Sequence, residues 1–468
     1  MSTTASVPPP EGTARRLAVI GGGWAGLAAA VRATEVGWRV EVFEAARQWG
    51  GRARTLGGTL SGTGPVDGSL PALDNGQHIL IGAYRETLAL MRQLGVNLDR
   101  ALLTLPLDLR HADGGGLAIP AWATRWPQSL ALLAAILGAG GWSWRDRIAL
   151  LQRSLQWRAA NFNCPAELSV SGLCAGLPPR VIAELIEPLC LSALNTPMKD
   201  ASAAVLLRVL RDALFGSGYG RWRGADLLLP RTDLGTLLPG PALDWLRRRG
   251  AGLHAGRRIA ALECSTPGWR IEGSAFDAVL LACAPHEATR LVRTAFGRDD
   301  TPRGAAAMDW ADGTDALRYE AIATVYAQAL TKQGRPARLP GSAAMVALRS
   351  GPGAPAQFAF DRARLGGPAG LLAFVVSACS GERAAIELQV LQQARAQLGL
   401  QDLRALKTVV EKRATFACTP GLRRPASAIA PGLWAAGDYI DGPYPATLEG
   451  AVCNGLQAVA GLQAEAIS

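Results

Sequence analysis

Three glycines near the start of the chain limit its fold more than any other feature. In RRLAVIGGGWAGLAAAVRA, the short apolar run Leu17–Ile20 meets Gly21-x-Gly23-x-x-Gly26, and a stretch of helical composition follows from Leu27 to Val36. A strand that turns this tightly into a helix uses glycine for the turn, for close approach to a pyrophosphate and for helix–strand packing. The continuation WRVEVFEA reads as a second strand ending in Glu44, 18 residues past Gly26, near the spacing of an acid that takes ribose hydroxyls. Two arginines ahead of an apolar run also describe a bacterial export signal. Arg32 and Glu35 within the helix argue against that reading, as does the first strand, which cleavage would remove.

The 468 residues, 49% of them hydrophobic, suffice for two or three domains with ample core. Eight cysteines lie scattered with no C-x-x-C pair, which points to reduced thiols in the cytoplasm and to neither a disulfide framework nor a zinc site. Four histidines stand apart from one another, so no metal centre is expected. The formal charge of +10 is spread over arginines without a basic block. It fits an arginine-rich composition or attraction to an anionic membrane face, and no motif points to nucleic acid. Residues 1–14 are polar and proline-rich, and are expected to be disordered.

Further along, Gly50-Gly51-Arg52 is a tight turn followed by a cation that could meet a phosphate. From Tyr84 the apolar spacing turns helical. Residues 122–157 hold five of the thirteen tryptophans around an apolar core, Leu130 to Leu137, far short of the roughly 20 residues that span a bilayer. Such a segment suits a helix lying in a membrane interface, and equally a buried helix of a substrate domain. RRIAALECSTPGWRIEGSAFDAVLLACAP reads as a small antiparallel hairpin closing with an apolar strand, Ala278 to Cys283. Residues 300–405 mix strands with a helix near 382–397. The end of the chain reads as a strand, Gly437-Asp438, a loop, and a helix starting near Thr447. An aspartate after a strand can accept from ribityl or ribose hydroxyls, and the helix aims N–H groups at an anionic partner.

Four segments thus occur in one order: the glycine turn with Glu44, Gly51-Arg52, the VLLACAP strand, and Gly437-Asp438 with TLEGAVCNG. Together they resemble the FAD-dependent amine oxidase and phytoene desaturase superfamily over nearly the whole chain, most specifically at its ends. A closer resemblance is to the hydroxysqualene dehydroxylases, squalene-associated flavoproteins of bacterial hopanoid biosynthesis. It rests on LDNGQHILIGAY, LCLSALNTP with ASAAVLLRVLRDALF, LLLPRTDLGTLLPGPA and GPYPATLEGAVCNG.

The resemblance implies an α/β fold: a Rossmann-type FAD-binding domain of the discontinuous GR2-like kind, with an inserted α+β substrate-binding domain. Residues 15–85, 226–295 and 409–468 would form the first, and residues 86–225 and 296–408 the second. It also implies cofactor contacts. Gly21, Gly23 and Gly26 line the pyrophosphate, Glu44 takes the adenosine ribose, and Gly51 and Arg52 sit near the phosphates. Ile259 holds the adenine through its backbone, Asp438 binds the ribityl-phosphate side, and Leu448 brings a backbone N–H to the flavin pyrimidine edge. Trp24, Ala25, Ala53, Gly76, Gln77, Gly437 and Thr447 complete the implied set.

Two departures separate the chain from the amine oxidases. Their substrate-caging aromatic is missing from Thr447-Leu448-Glu449-Gly450-Ala451, and their flavin-facing lysine aligns with Ile322. The implied reaction is reductive removal of an allylic hydroxyl from hydroxysqualene, giving squalene. It needs a proton donor beside the hydroxyl, and Asp74 and His78 lead the candidates because they share one short loop. Asp441, Tyr444 and Glu449 are the others, and Glu449 also suits a purely structural place in the first turn of a helix. The implied substrate is a hydrophobic isoprenoid lipid; an unidentified electron donor is expected as well, and segment 122–157 with the net charge allows peripheral contact with the inner face of the cytoplasmic membrane. Nothing resembles a second nicotinamide site. The rival readings are a carotenoid or phytoene desaturase, a non-catalytic prenyl or lipid carrier on the same fold, and an amine oxidase.

Overall fold

The computed structural model describes residues 14–57, 73–265 and 267–465, so all but Ala14 of the segment expected to be disordered lies outside the described residues. The chain runs through β1 (Arg16–Ile20), α1 (Trp24–Glu35), β2 (Arg39–Glu44), α2 (Arg85–Gln93), the helical pair α3 (Gln128–Leu137) and α4 (Trp144–Ala159), the long strand β3 (Tyr319–Leu330) and the closing helix α5 (Leu448–Glu465), with shorter elements between them.

A six-stranded sheet gathers strands from distant parts of the chain in the order Gly252–Ala255, β2, β1, Ala278–Leu281, Leu433–Ala435, Ala428–Ala430. All neighbours are parallel except the last pair. Parallel sheets are covered on both faces, which is why β1 reads as an unbroken apolar run. Leu17 and Val19 face a cluster that contains the alanines of α1 together with Val452 and Val459 of α5. Ala18 and Ile20 face the opposite cluster, with Phe43, Trp269 and Phe276.

The second large sheet is antiparallel, in the order Met345–Ala347, Phe358–Asp361, Leu371–Cys379, β3, Asp402–Phe416. One face of β3, carrying Ala323, Val325, Ala327 and Ala329, is covered by Ile386, Val390 and Ala394 of the helix Arg383–Leu398. The other carries Ile322, Thr324 and Tyr326, since alternate residues of a strand share a face. Tyr326 donates its hydroxyl to the Asp74 carbonyl at 3.0 Å, which brings this face against the loop after residue 73.

Several expectations shift. Helix α1 starts at Trp24, not Leu27, so Gly26 lies inside it. The strand expected at Ala278 to Cys283 stops at Leu281, and the expected hairpin is a three-stranded sheet. The strand Asp402–Phe416 crosses the expected domain boundary at 408/409 without a break, because it pairs with β3 along nearly its whole length. Helix α2 begins the segment assigned to the substrate domain, yet Leu88 and Met91 pack in the cluster of α1 and α5. In α3 and α4, Ala131, Ala135, Leu150 and Trp157 are buried while Leu130, Leu133, Leu137, Trp144, Ile148 and Leu155 are exposed, so the pair is only half covered. Among the described residues no helix is long and apolar enough to cross a membrane.

Candidate active site

The turn after β1 is built by exclusion of side chains. Gly21 has φ +118°, and a Cβ there would lie 2.3 Å from the Ala282 carbonyl oxygen. A Cβ on Gly26 would lie 1.9 Å from the Gly21 carbonyl oxygen. Both glycines therefore serve the packing of β1, α1 and the strand at 278–281. Gly23 differs: it is the N-cap of α1, no side chain caps it, and a Cβ there would come no closer than 3.8 Å to anything, the nearest atom being Gly51 Cα. The uncapped first turn, which begins at Trp24 and Ala25, faces this gap, an arrangement suited to an anion. Glu44 closes the turn from the end of β2, accepting the N–H groups of Gly22 at 2.7 Å and Ala46 at 2.8 Å. Trp24 and Ala53 meet each other, the indole donating to the Ala53 carbonyl at 2.9 Å. The carbonyl of buried Ile259 accepts from Arg290 at 2.7 Å, leaving its N–H as the backbone group available to a base.

The C-terminal end meets this turn through charge. Arg52 pairs with Asp438 and also donates to the Ala414 carbonyl at 2.7 Å. Burial disfavours the charge on Arg52, but Asp438 and Glu411 outweigh it and hold the guanidinium above its ordinary value. Asn75 bridges the Arg52 carbonyl and Glu411, each at 3.1 Å. Gly437 donates its N–H to Asn454 of α5 at 3.0 Å, and Thr447 caps α5 by accepting the Gly450 N–H at 2.9 Å. Ala446 sits just before the helix at φ +58°, a strained position for a residue with a Cβ.

Between these ends lies the loop after Asp74. It gives its two leading candidates different surroundings. The Asp74 carboxylate accepts the Leu234 N–H at 2.9 Å and the Thr55 hydroxyl at 3.3 Å, and burial raises its pKa to about 6 against the pull of Leu234 and Arg362. It thus anchors the loop to the helix turn Leu234–Leu237. His78 is half-buried, with Nδ1 2.9 Å from the Gly76 carbonyl; burial, with Arg52 adding to it, lowers its pKa. A neutral ring bonded this way carries its proton on Nδ1 and leaves Nε2 as an acceptor. Gln77 accepts from the buried Arg362 at 2.9 Å. Thr324 reaches the loop from β3: its hydroxyl lies 3.7 Å from where a Gly76 Cβ would stand and is buried without a partner among the described residues.

The remaining candidate acids are engaged elsewhere. Glu449 is buried, and its two oxygens accept the N–H groups of Glu86 and Thr87 at 2.9 Å each, capping α2. Asp441 is exposed and meets Arg424 at 3.2 Å, while Tyr444 lies beside Arg208 and Asp212. Thr324, Asn75, Glu411 and Arg362 were not foreseen from the sequence. Only Thr324 carried a signal, standing two residues from Ile322 and hence on the same strand face.

The turn after β1 is thus suited to an anion, and Gly76, His78 and Thr324 lie together where β3 meets the loop after Asp74. The Thr324 and Tyr439 hydroxyls, both buried and without partners among the described residues, and the open first turn of α1 fit a polar cofactor.

Comparison with known proteins gives concordant findings. Residues 24–462 match the family described as flavin containing amine oxidoreductase. A hydroxysqualene dehydroxylase of Rhodopseudomonas palustris is 27% identical over 94% of this chain and 96% of its own length. One from Zymomonas mobilis is 25% identical over 53% of this chain and 55% of that protein. Among solved structures, an oxidoreductase from Methanosarcina mazei superposes with a TM-score of 0.67 at 15% identity, covering 95% of this chain and 100% of that one. Cyclohexylamine oxidase from Brevibacterium oxydans gives 0.61 at 16% identity, over 97% and 100%. Reduced UDP-galactopyranose mutase gives 0.65 at 14% identity, over 96% of both chains. At these identities the structural likeness speaks for the fold.

Proposed function

This chain belongs to the flavin-containing amine oxidoreductase family and is an FAD-dependent oxidoreductase, and from that premise we propose that it reduces hydroxysqualene to squalene. The observation that carries the reading is the likeness to the R. palustris hydroxysqualene dehydroxylase over 94% of the chain. The site agrees at one telling point. On the face of β3 that carries Thr324 and Tyr326 stands Ile322, an apolar residue suited to a hydrocarbon, and no basic one suited to an amine oxidase.

In the proposed reaction the allylic C–O bond breaks, the oxygen leaves as water after gaining one proton, and hydride takes its place on carbon. Bound FAD, in its reduced form, supplies that hydride. The residues proposed to hold it are Gly23 with the first turn of α1 and Arg52 at the pyrophosphate, Glu44 at the ribose, Ile259 at the adenine, Asp438 at the ribityl side, and Thr447 and Leu448 at the pyrimidine edge. His78 is the proposed proton-handling group. While neutral, its Nε2 can accept a hydrogen bond from the substrate hydroxyl; once protonated from solvent, it donates that additional proton to the oxygen, which leaves as water. Asp74 acts as a positioning residue that fixes the loop carrying His78. The isoprenoid substrate is hydrophobic, so removal of water around the allylic carbon falls to apolar neighbours such as Ile322.

The experiment is anaerobic: reduce the purified protein with dithionite, add hydroxysqualene, and follow flavin absorbance with product mass. The expected result is reoxidation with one squalene formed per flavin. A flavin that stays reduced while the alcohol survives would sink the reading, and reduction of oxidised enzyme by a polyene precursor would favour a desaturase. A separate electron donor is also proposed; rapid stoichiometric reduction by NADPH alone would overturn that part.

A further inference from the structure

Helices α3 and α4 each carry two apolar faces. One is spent on the core, through Ala131, Ala135, Leu150 and Trp157. The other has no partner among the described residues. On α3 it consists of Leu130, Leu133 and Leu137, and on α4 of Trp144, Ile148 and Leu155, in both cases at spacings that return to one side of a helix. Trp122 and Trp126 extend it, their rings 4.8 Å apart edge to face, and Trp122 and Trp144 are 63% and 64% exposed. An apolar area this continuous marks a contact surface.

Charge says what it contacts. Between Trp122 and Ala160 stand Arg125, Arg145, Arg147, Arg153 and Arg158 against a single acid, Asp146. That acid is buried and consumed in the capping box with Ser143 at the start of α4. Within this segment, therefore, no exposed acid offsets the cations. Arg145 and Arg158 are exposed, Arg158 lying over Phe215 at 5.5 Å, whereas Arg147 lies over the Trp144 ring at 5.0 Å and turns back to donate to the Ala139 carbonyl; exposed cations beside apolar side chains suit a lipid headgroup layer. A second copy of the chain would bring like charges together along this segment. Helix α3, with ten residues, is too short to cross a bilayer.

We propose that the face formed by α3, α4 and the Trp122–Trp126 turn docks in the plane of an anionic lipid bilayer. The proposal adds to the lipid-substrate reading the place where lipid is met. It does not stand or fall with it, because the test contains no substrate.

The test is co-sedimentation of the FAD-loaded protein with phosphatidylcholine vesicles, with and without phosphatidylglycerol. Binding is expected to vesicles containing phosphatidylglycerol, weakened by salt, with bromine-labelled lipid quenching tryptophan fluorescence. Replacing Arg145→Gln and Arg158→Gln is expected to lower partitioning about fivefold per charge removed. The triple variant Leu130→Ser, Leu133→Ser, Leu137→Ser is expected to lose binding while melting temperature and FAD content hold, since these side chains already face outward. Equal binding to both vesicle types, or binding untouched by the substitutions, overturns the proposal. So does absence of binding, and so does a wild-type dimer that the triple variant converts to monomer, which would make the face an interface between copies.

Discussion

At the scale of single residues, the acids of the site separate by what their oxygens already hold. Asp74 is buried with a pKa of about 6, above its ordinary value near 3.8, so the folded state favours the protonated form more than the unfolded chain does. Between about pH 4 and pH 6 the folded chain binds more protons at this position than the unfolded one, and stability falls as pH rises through that window. Asp74→Asn keeps an oxygen for the Leu234 N–H and removes the charge. It is expected to stabilise the protein at pH 7 by up to about 3 kcal/mol and to flatten the pH dependence of melting, read by calorimetry. A positioning role also predicts turnover within about tenfold of wild type, whereas a proton donor would lose far more. His78→Gln is expected to keep FAD and to slow reoxidation of the reduced flavin by hydroxysqualene about a hundredfold or more. Wild-type activity should rise as pH falls toward the lowered pKa of His78, and the variant should lose that rise. Glu449→Ala removes the cap on α2; a loss of about 1–2 kcal/mol in urea melts with unchanged turnover would mark it as structural.

At the scale of elements, legibility followed the range of the signal. The strand–turn–helix at residues 16–35 and the start of α5 carry local codes, glycines at fixed offsets and a threonine cap, so the sequence located them to within a few residues. The three-stranded sheet at 263–276 and the strand crossing 408/409 depend on partners elsewhere in the chain, and no local pattern announces where such pairing stops. The docking of α5 on α1 is likewise invisible locally, although Gly455 records it. A Cβ there would lie 2.3 Å from the Ala25 carbonyl oxygen, so Gly455→Ala must push α5 away from the turn it helps frame. The expected outcome is a loss of about 1–3 kcal/mol and weakened retention of FAD on gel filtration. Gly313→Ala is the control: that helical glycine has nothing within 4 Å, and the substitution is expected to stabilise by about 0.4–1 kcal/mol with FAD retained.

For the whole molecule, the site exists only because segments hundreds of residues apart close on each other. Arg52 and Asp438 are 386 positions apart, and Asn75 with Glu411 spans 336. The glycine spacing, Arg52 and Asp438 could each be read from the sequence, as neighbours of an anion and of a sugar. Their pairing could not, because it is a property of the closed fold. Nor could the Thr324 hydroxyl be assigned to the loop before β3 was seen to face it. The pair makes a prediction about closure itself. Asp438→Leu leaves Arg52 with Glu411 and the Ala414 carbonyl but without its strongest partner. Because Arg52 is 40% exposed, the expected loss is about 1–2 kcal/mol, below the 3–5 of a fully buried pair. Adding Arg52→Met removes the stranded charge and should recover much of that stability in urea melts of the FAD-free protein. FAD affinity, followed by flavin fluorescence, should fall in the single variant and stay low in the double. If affinity returned with stability, the pair would be a structural clamp between the two ends of the chain; if it does not, the same two side chains that close the fold also hold the cofactor.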